Sequence, residues 1–346
     1  MAETEGKRIT LAERPEGMPT EQHLKLESMP VPGPAEGQML LRTIYLSLDP
    51  YMRGRMSAAK SYAKPVEIGD PMEGGTVCEV VESKLDGYGA GDIVLARIGW
   101  QTHGLSDGTG VRKLDPAQGP ITTAVGVMGM PGFTAYAGLL ELGQPKEGET
   151  VVVSAASGAV GQVVGQIAKL KGCRVVGVAG ADDKCAYVRD ELGFDAAVNY
   201  KEPDFPEQLA AACPDGIDVY FENVGGKVLQ AVLPNLNEFS RMPVCGLIAH
   251  YNDTGAPEGP DQLPGFMRTV LTKRLMVRGF IQFDFAPLMP SFLKDMAQWL
   301  QDGKVRYRED IVPGLENAVS AFQGLLQGKN RGKLIIQVGD DPTKQG

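Results

Sequence analysis

The chain predicts an α/β protein of two domains, a doubly wound parallel sheet joined to a smaller, mainly β domain. Three observations carry this. A length of 346 residues exceeds what a single hydrophobic core ordinarily serves. The stretch before residue 120 is rich in Gly and Pro and holds short β-like runs broken by turn signals such as "DGYGAGD". From Val151 onward β-branched runs alternate with helical patterns. Such alternation implies right-handed βαβ crossovers in a parallel sheet, and near-continuous apolar strands suit a sheet covered on both faces.

Taken in order, the early β runs are "QMLLRTIYLSL" (38–48), "TVCEVVES" (76–83) and "DIVLARI" (92–98). The parallel strands are "TVVVSA" (150–155), "RVVGVAG" (174–180), "AAVNY" (196–200), "DVYFENV" (218–224), "RMPVCGLI" (241–248) and "LMVRGFI" (275–281). Six strands are what a complete dinucleotide-binding fold needs. Two helical stretches follow. In 290–304, Phe292, Met296, Trp299 and Leu300 share a face; in 314–329, Leu315, Ala318, Val319, Phe322 and Leu326 do the same. A last run, "KLIIQV" (333–338), can pair back with the first domain, and no internal repeat or low-complexity segment occurs.

Bulk properties exclude several classes. The formal charge is −9 with no basic tail or stripe, which argues against a nucleic-acid partner. No apolar run reaches transmembrane length, and the opening "MAETEGKRITLAERPEG" has no signal-peptide core, so no membrane partner is expected. Cys78, Cys173, Cys185, Cys213 and Cys245 form no C-x-x-C pair, which favours reduced thiols in a cytoplasm over disulfides or a thiolate-bound metal.

The stretch "VVVSAASGAVGQVVGQIAKLKG" (151–172) reads as strand, small-residue turn and helix. The usual G-x-G-x-x-G pattern is broken, with Ala156 in the first position, then Gly158 and Gly161. Ala156 can serve if that turn needs no positive φ. Val160, Val163, Val164, Ile167 and Leu170 fall on one apolar face, which puts the helix start at Gly158–Ala159. A helix start offers unpaired N–H groups and the positive end of the dipole to a pyrophosphate.

The second strand selects the cofactor. NAD-binding folds usually carry an acid about 20 residues past the loop, to hold the ribose 2′-hydroxyl. Ala179 and Gly180 stand at that strand end, so repulsion of a 2′-phosphate is removed, and Lys184 brings a positive charge nearby. A solvated helix-face lysine is the alternative for Lys184. One of Asp182 and Asp183 is expected to cap the next helix. NADPH/NADP+ is the favoured cofactor.

Long segments then carry a resemblance: "LSLDPYMRGRM", "GVMGMPGFTAYAGLLELG", "AASGAVGQVVGQIAKLKGCRVVGVAG", "PDGIDVYFENVGG", "CGLIAHYN" and "NRGKLIIQV". Over essentially its whole length the chain resembles the zinc-free prostaglandin reductase (leukotriene B4 dehydrogenase), curcumin reductase and plant double-bond reductase group of the medium-chain dehydrogenases/reductases. The resemblance implies a GroES-like catalytic domain at 1–127 and 307–346, with a Rossmann NADP-binding domain at 128–306. Zinc relatives carry a Gly-His-Glu segment; here "GDPMEGGTV" puts Met72 in the histidine position, and a thioether beside one acid makes no tetrahedral zinc site. No metal is expected.

The implied activity is NADPH-dependent reduction of the C=C bond of α,β-unsaturated ketones and aldehydes, with hydride added at Cβ and charge moving onto the oxygen as an enolate. A neutral tyrosine suits the donor that such an oxygen needs. Tyr51 in "LDPYMRGRM" and Tyr251 in "CGLIAHYN" resemble the family's active-site positions, and the cofactor's ribose hydroxyl can share the task. Cofactor contacts carry over to Gly158, Ala159, Val160, Gly161 and Gln162 at the pyrophosphate turn. Gly180, Lys184 and Tyr200 carry over at the adenosine phosphate. Further contacts are Asn223; Cys245, Gly246, Leu247, Ile248 and Tyr251 in the fifth-strand loop; Phe280, Ile281 and Gln282 after the sixth strand; Asn330; and Met130 with Thr134.

Glu222 stands where relatives commonly have Asp, and Ala249 where many have Ser. Arg53 and Arg55 are read as surface or interdomain ion pairs ahead of anionic-substrate contacts. His250 is read as a rim residue with no visible partner, His103 as solvent-facing, and Cys245 as packed in its β run. A quinone reductase and a non-catalytic NADPH-binding protein are the alternatives; turnover of an enone against a quinone separates them. Loops 55–70 and 252–268 are expected to wall the substrate pocket. The sixth strand forms a sheet edge and points to a homodimer.

Overall fold

A computed structural model describes residues 5–31, 33–255 and 260–344. The first four residues of the polar opening and positions 256–259 of the predicted pocket-wall loop lie outside the described residues. The chain divides into two compact units, one of Met1–Gly126 with Glu309–Gly346, the other of Val127–Arg308.

The first unit begins with a hairpin of β1 (Glu5–Leu11) and β2 (Leu24–Pro30). Then come β3 (Met39–Ser47), a one-turn helix α1 (Met52–Arg55), β4 (Thr76–Ser83), β5 (Ile93–Ala96), β6 (His103–Ser106) and β7 (Arg112–Lys113). Strand β3 is the spine of this unit. Apart from Arg42, every residue from Met39 to Ser47 is buried, which its unbroken apolar run anticipates.

The second unit opens with α2 (Met130–Ala137) and β8 (Thr150–Ser154), followed by α3 (Gly161–Leu170), β9 (Arg174–Ala179), α4 (Asp182–Ala186) and β10 (Ala196–Asn199). It continues through α5 (Phe205–Ala212), β11 (Ile217–Phe221), α6 (Gly226–Val232), β12 (Leu236–Val244), α7 (Leu263–Lys273), β13 (Met276–Gly279) and α8 (Met289–Gln301). The chain then returns to the first unit with β14 (Glu309–Pro313), α9 (Ala318–Leu326) and β15 (Lys333–Gln337). β15 lies antiparallel to β3 and parallel to β14.

The second unit's sheet has the order β10-β9-β8-β11-β12-β13 with parallel neighbours throughout, the doubly wound arrangement whose ligand crevice opens where the order reverses, between β8 and β11. Val151, Val152 and Val153 of β8 are fully buried, Val151 and Val153 in one apolar cluster and Val152 in another, because helices cover both faces.

Two expectations about elements change. β12 starts at Leu236 and ends at Val244, so Cys245–Ile248 belong to the loop beyond it. α3 starts at Gly161 with Val160 as its N-cap, because a turn through Ala155–Val160 precedes it. Val163, Val164 and Ile167 are buried, as the periodicity requires, but Leu170, in the last turn, is 38% exposed.

Candidate active site

At the end of β8 the chain reverses through Ala155, whose φ of 49° is left-handed. The turn therefore does use a positive φ, at Ala155 and not at Ala156 in the first glycine position. Gly161 cannot carry a side chain: a Cβ there would lie 2.3 Å from the Ala155 oxygen and 2.8 Å from the Ala156 Cα. This contact packs the helix start onto the strand end. Ala159, Val160 and Gly161 precede the first bond of the helix's turn, from the Gln162 N–H to the Gly158 oxygen at 3.0 Å. Their amides have no partner within the helix, as is general for the first turn of a helix.

The Gln162 side chain is used elsewhere. Its Oε1 accepts from the Tyr187 hydroxyl at 3.0 Å and the Arg308 N–H at 3.1 Å. One turn on, Gln166 pairs both ways with the Arg306 backbone, at 2.7 and 2.8 Å. The two glutamines clasp segment 306–308, so only the backbone of Gln162 is left for the turn.

At the tip of β9, Gly180 is covered by Tyr200: a Cβ on Gly180 would stand 2.8 Å from the ring. Glycine here serves close approach and also withholds the carboxylate that would repel a 2′-phosphate. The expected aspartate cap is corrected. Ala181 is the N-cap of α4 and carries no capping side chain, while the Asp182 carboxylate accepts from Asn199 Nδ2 at 2.8 Å. Lys184 lies half-buried in this helix.

Where the strand order reverses, Ser154 and Glu222 tie β8 to the exit of β11. Glu222 is buried, and its Oε1 accepts from Ser154 Oγ at 3.0 Å, Tyr220 Oη at 2.9 Å, and the N–H groups of Val224 at 2.6 Å and Gly225 at 2.9 Å. Asn223 donates from its backbone to Ser154 Oγ and from Nδ2 to the Ser154 carbonyl, each at 2.8 Å. The sequence marked Glu222 only as a departure from Asp; an acid ending an apolar strand was the available signal of a buried anchor.

The loop beyond β12 is held to this anchor. The N–H groups of Cys245 and Gly246 donate to the Glu222 carbonyl, Ile248 N–H to that of Asn223, and Ala249 N–H to that of Val224. Tyr251 folds back over Gly246, its hydroxyl accepting from the Leu247 N–H at 3.4 Å. Burial, reinforced by the Glu222 charge, pushes the Cys245 thiol up to about 12, so a thiolate nucleophile is not available. His250 has two partners, against expectation: Nε2 accepts from the Gly226 N–H at 3.2 Å and Nδ1 faces Asp253 at 2.8 Å.

Phe280 is buried edge-on against Phe221. Ile281 N–H donates to Asp284, and Gln282 begins the following turn. Thr134 donates to the Met130 carbonyl at 2.8 Å in the first turns of α2.

In the first unit, Tyr51 caps α1. Burial pushes its phenol well above the usual range, helped by Asp49 and Glu73 and opposed by Arg97 and Arg55. Arg97 Nη2 donates to its hydroxyl at 3.4 Å. Tyr51 is therefore a neutral hydrogen-bonding group at physiological pH.

Arg53 and Arg55 are buried, not surface residues, and Arg55 does form an ion pair. Arg53 is buried and donates to the carbonyls of Pro15 and Gly17, and Arg55 is buried against Glu73 at 3.1 Å. His103 is half-buried on β6, and its pKa is lowered by burial and by Arg42. Asn330 donates to the Gly332 carbonyl at 2.7 Å.

Met72 is fully buried in an apolar cluster with Leu46, Met52 and Trp100. Among the described residues no group of three or more His, Cys, Asp and Glu side chains could hold a metal ion.

Turn, switch point and strand order define a dinucleotide-binding oxidoreductase fold. Residues 7–114 match the family described as the N-terminal domain of oxidoreductase, and residues 159–301 match that described as zinc-binding dehydrogenase. The chain is 56% identical to the NADPH-dependent curcumin reductase of Escherichia coli, over 97% of this chain and 98% of that one. It is 44% identical to prostaglandin reductase 1 of Rattus norvegicus, over 96% and 99%. The crystal structure of CurA from Vibrio vulnificus in complex with NADPH superposes with a TM-score of 0.93 at 54% identity, covering 97% of this chain and all of that one. The chain belongs to the medium-chain dehydrogenase/reductase family, in the group of the NADPH-dependent curcumin and prostaglandin reductases.

Proposed function

We propose that the protein reduces the C=C bond of α,β-unsaturated ketones and aldehydes with NADPH. The observation that carries this reading is the tip of β9. Gly180 stands where an acid would select NAD, Tyr200 covers it and Lys184 stands one turn into the next helix, in a chain 56% identical to a curcumin reductase named for NADPH. NADPH, when bound, supplies the hydride. Ala159, Val160 and Gly161 would hold its pyrophosphate by their amides, and Lys184 and Tyr200 its 2′-phosphate. Asn223, the 245–251 loop, Phe280–Gln282, Met130, Thr134 and Asn330 would line the rest of its path. Tyr251 would donate to the enolate oxygen, and Tyr51 is a second candidate donor.

Lys184→Ala is expected to raise the NADPH KM about 10–100-fold, the value of one charge-assisted contact, with little change for NADH. Steady-state kinetics with both cofactors on an activated enone test it. Equal use of NADH by the unmodified protein would overturn the cofactor assignment, and absence of NADPH oxidation with any enone would overturn the activity.

The same reading includes a cytoplasmic homodimer. The five cysteines are free, and among the described residues no helix is long and apolar enough to cross a membrane. β13 is the sheet's edge and all four of its residues are exposed. An unpaired edge beside the exposed Leu263, Met267 and Leu271 of α7 calls for cover, and a second copy supplies it with two-fold symmetry. Light scattering at micromolar concentration is expected to give twice the chain mass of 37.0 kDa; a monomeric mass would contradict the dimer.

A further inference from the structure

We propose that Lys227 is a third contact for the cofactor's 2′-phosphate, beside Lys184 and Tyr200; the inference rests on the NADPH reading above. Lys227 is the second residue of α6 and is exposed, its ammonium 5.1 Å from the centroid of the Tyr200 ring. Tyr200 is the side chain whose hydroxyl and ring edge close over Gly180. One aromatic residue thus joins the tip of β9, where the 2′-phosphate is assigned, to a cation delivered from the far side of the sheet's switch point. Asp182, the acid nearest that strand end in sequence, is turned to Asn199.

A ring face is a weak partner for an ammonium group, and a phosphate dianion is a strong one. A lysine stem is flexible, with three rotatable donors at its end. When a phosphate settles beside the Tyr200 hydroxyl, the Lys227 ammonium can leave the ring for the anion while its stem stays over the aromatic surface. The contact is specific to NADPH, because NADH offers a hydroxyl at the same place.

The test is a binding titration without turnover, following cofactor or protein fluorescence, for NADPH and NADH against the unmodified protein, Lys227→Ala and Lys227→Met. Loss of one charge-assisted contact corresponds to a weakening on the order of ten-fold. NADPH is expected to weaken by that factor in both variants, with NADH unchanged and with a shallower salt dependence for NADPH. Lys184→Ala should show the same signature. Equal weakening of NADPH and NADH would mean that Lys227 only packs Tyr200, and unchanged binding of both would mean that it stays in solvent; either overturns the inference while the NADPH reading stands. Failure of the unmodified protein to prefer NADPH would overturn the reading itself.

Discussion

Asp49→Ala is expected to destabilise the first unit by about 3–5 kcal/mol, the cost of stranding one member of a buried ion pair. The stranded member would be Lys333, 2% exposed at the start of β15. Its ammonium donates to Asp49 Oδ1 at 3.1 Å and to the carbonyls of Leu48 at 2.7 Å and Leu334 at 3.0 Å. Asp49 also accepts from the Ser47 hydroxyl. Burial lowers the pKa of Lys333, and the Asp49 charge opposes that shift. Without the carboxylate, only the two carbonyls and the Glu309 charge are left to offset the desolvation. Differential scanning calorimetry should show the transition of this unit fall by roughly 10 °C. The pair Asp49→Leu with Lys333→Met should recover much of the loss, since apolar residues of similar volume replace such pairs at little cost. A fall of under about 3 °C for Asp49→Ala would show that Lys333 finds water or another partner. Asp49 lies two residues before Tyr51, so the same pair fixes the start of the loop that carries a candidate donor.

Which features were legible follows from the range of the interaction behind them. The six parallel strands could be read from runs of apolar residues because burial on both faces writes itself into consecutive positions. The strand, turn and helix around Gly161 were legible because a known spacing announces them. The partners of buried polar groups were not. Ser154 and Glu222 are 68 positions apart, and Gln162 reaches Arg308 across 146. No periodicity encodes such pairs, so Glu222 looked like a mere departure from Asp and the partners of the Gln162 side chain went unread.

The charged residues failed for a related reason. Arg53 and Arg55 were read as surface or interdomain ion pairs because charged side chains are ordinarily exposed or paired. Both are buried by local means, Arg53 through three bonds to loop carbonyls and Arg55 through Glu73 and the Ala63 carbonyl. His250 shows the same limit at short range: its partners Gly226 and Asp253 are clear only once the loops after β11 and β12 lie together. The start of α3 was set too early because apolar spacing cannot tell a helical turn from the small-residue turn that leads into it.

Tyr251→Phe is expected to lower kcat by up to about 10²-fold while leaving NADPH binding nearly unchanged. A preorganised donor to a developing oxyanion is worth about 10²–10³ in rate. The low end applies because the cofactor's ribose hydroxyl can share the enolate. The geometry favours a clean substitution. The ring stays over Gly246, and the loop is fastened by backbone bonds to 222–224 that do not involve the phenol. The hydroxyl accepts a long bond from the Leu247 N–H, and a phenol can accept one bond and donate another. Removing it should therefore cost transition-state energy that the ground state barely registers, so kcat and kcat/KM fall together. Tyr51→Phe should have a smaller effect. Steady-state kinetics on several enones, with NADPH affinity measured separately by titration, decide the matter. Full kcat in Tyr251→Phe across those substrates would make Tyr251 a wall of the pocket and leave enolate stabilisation to other donors.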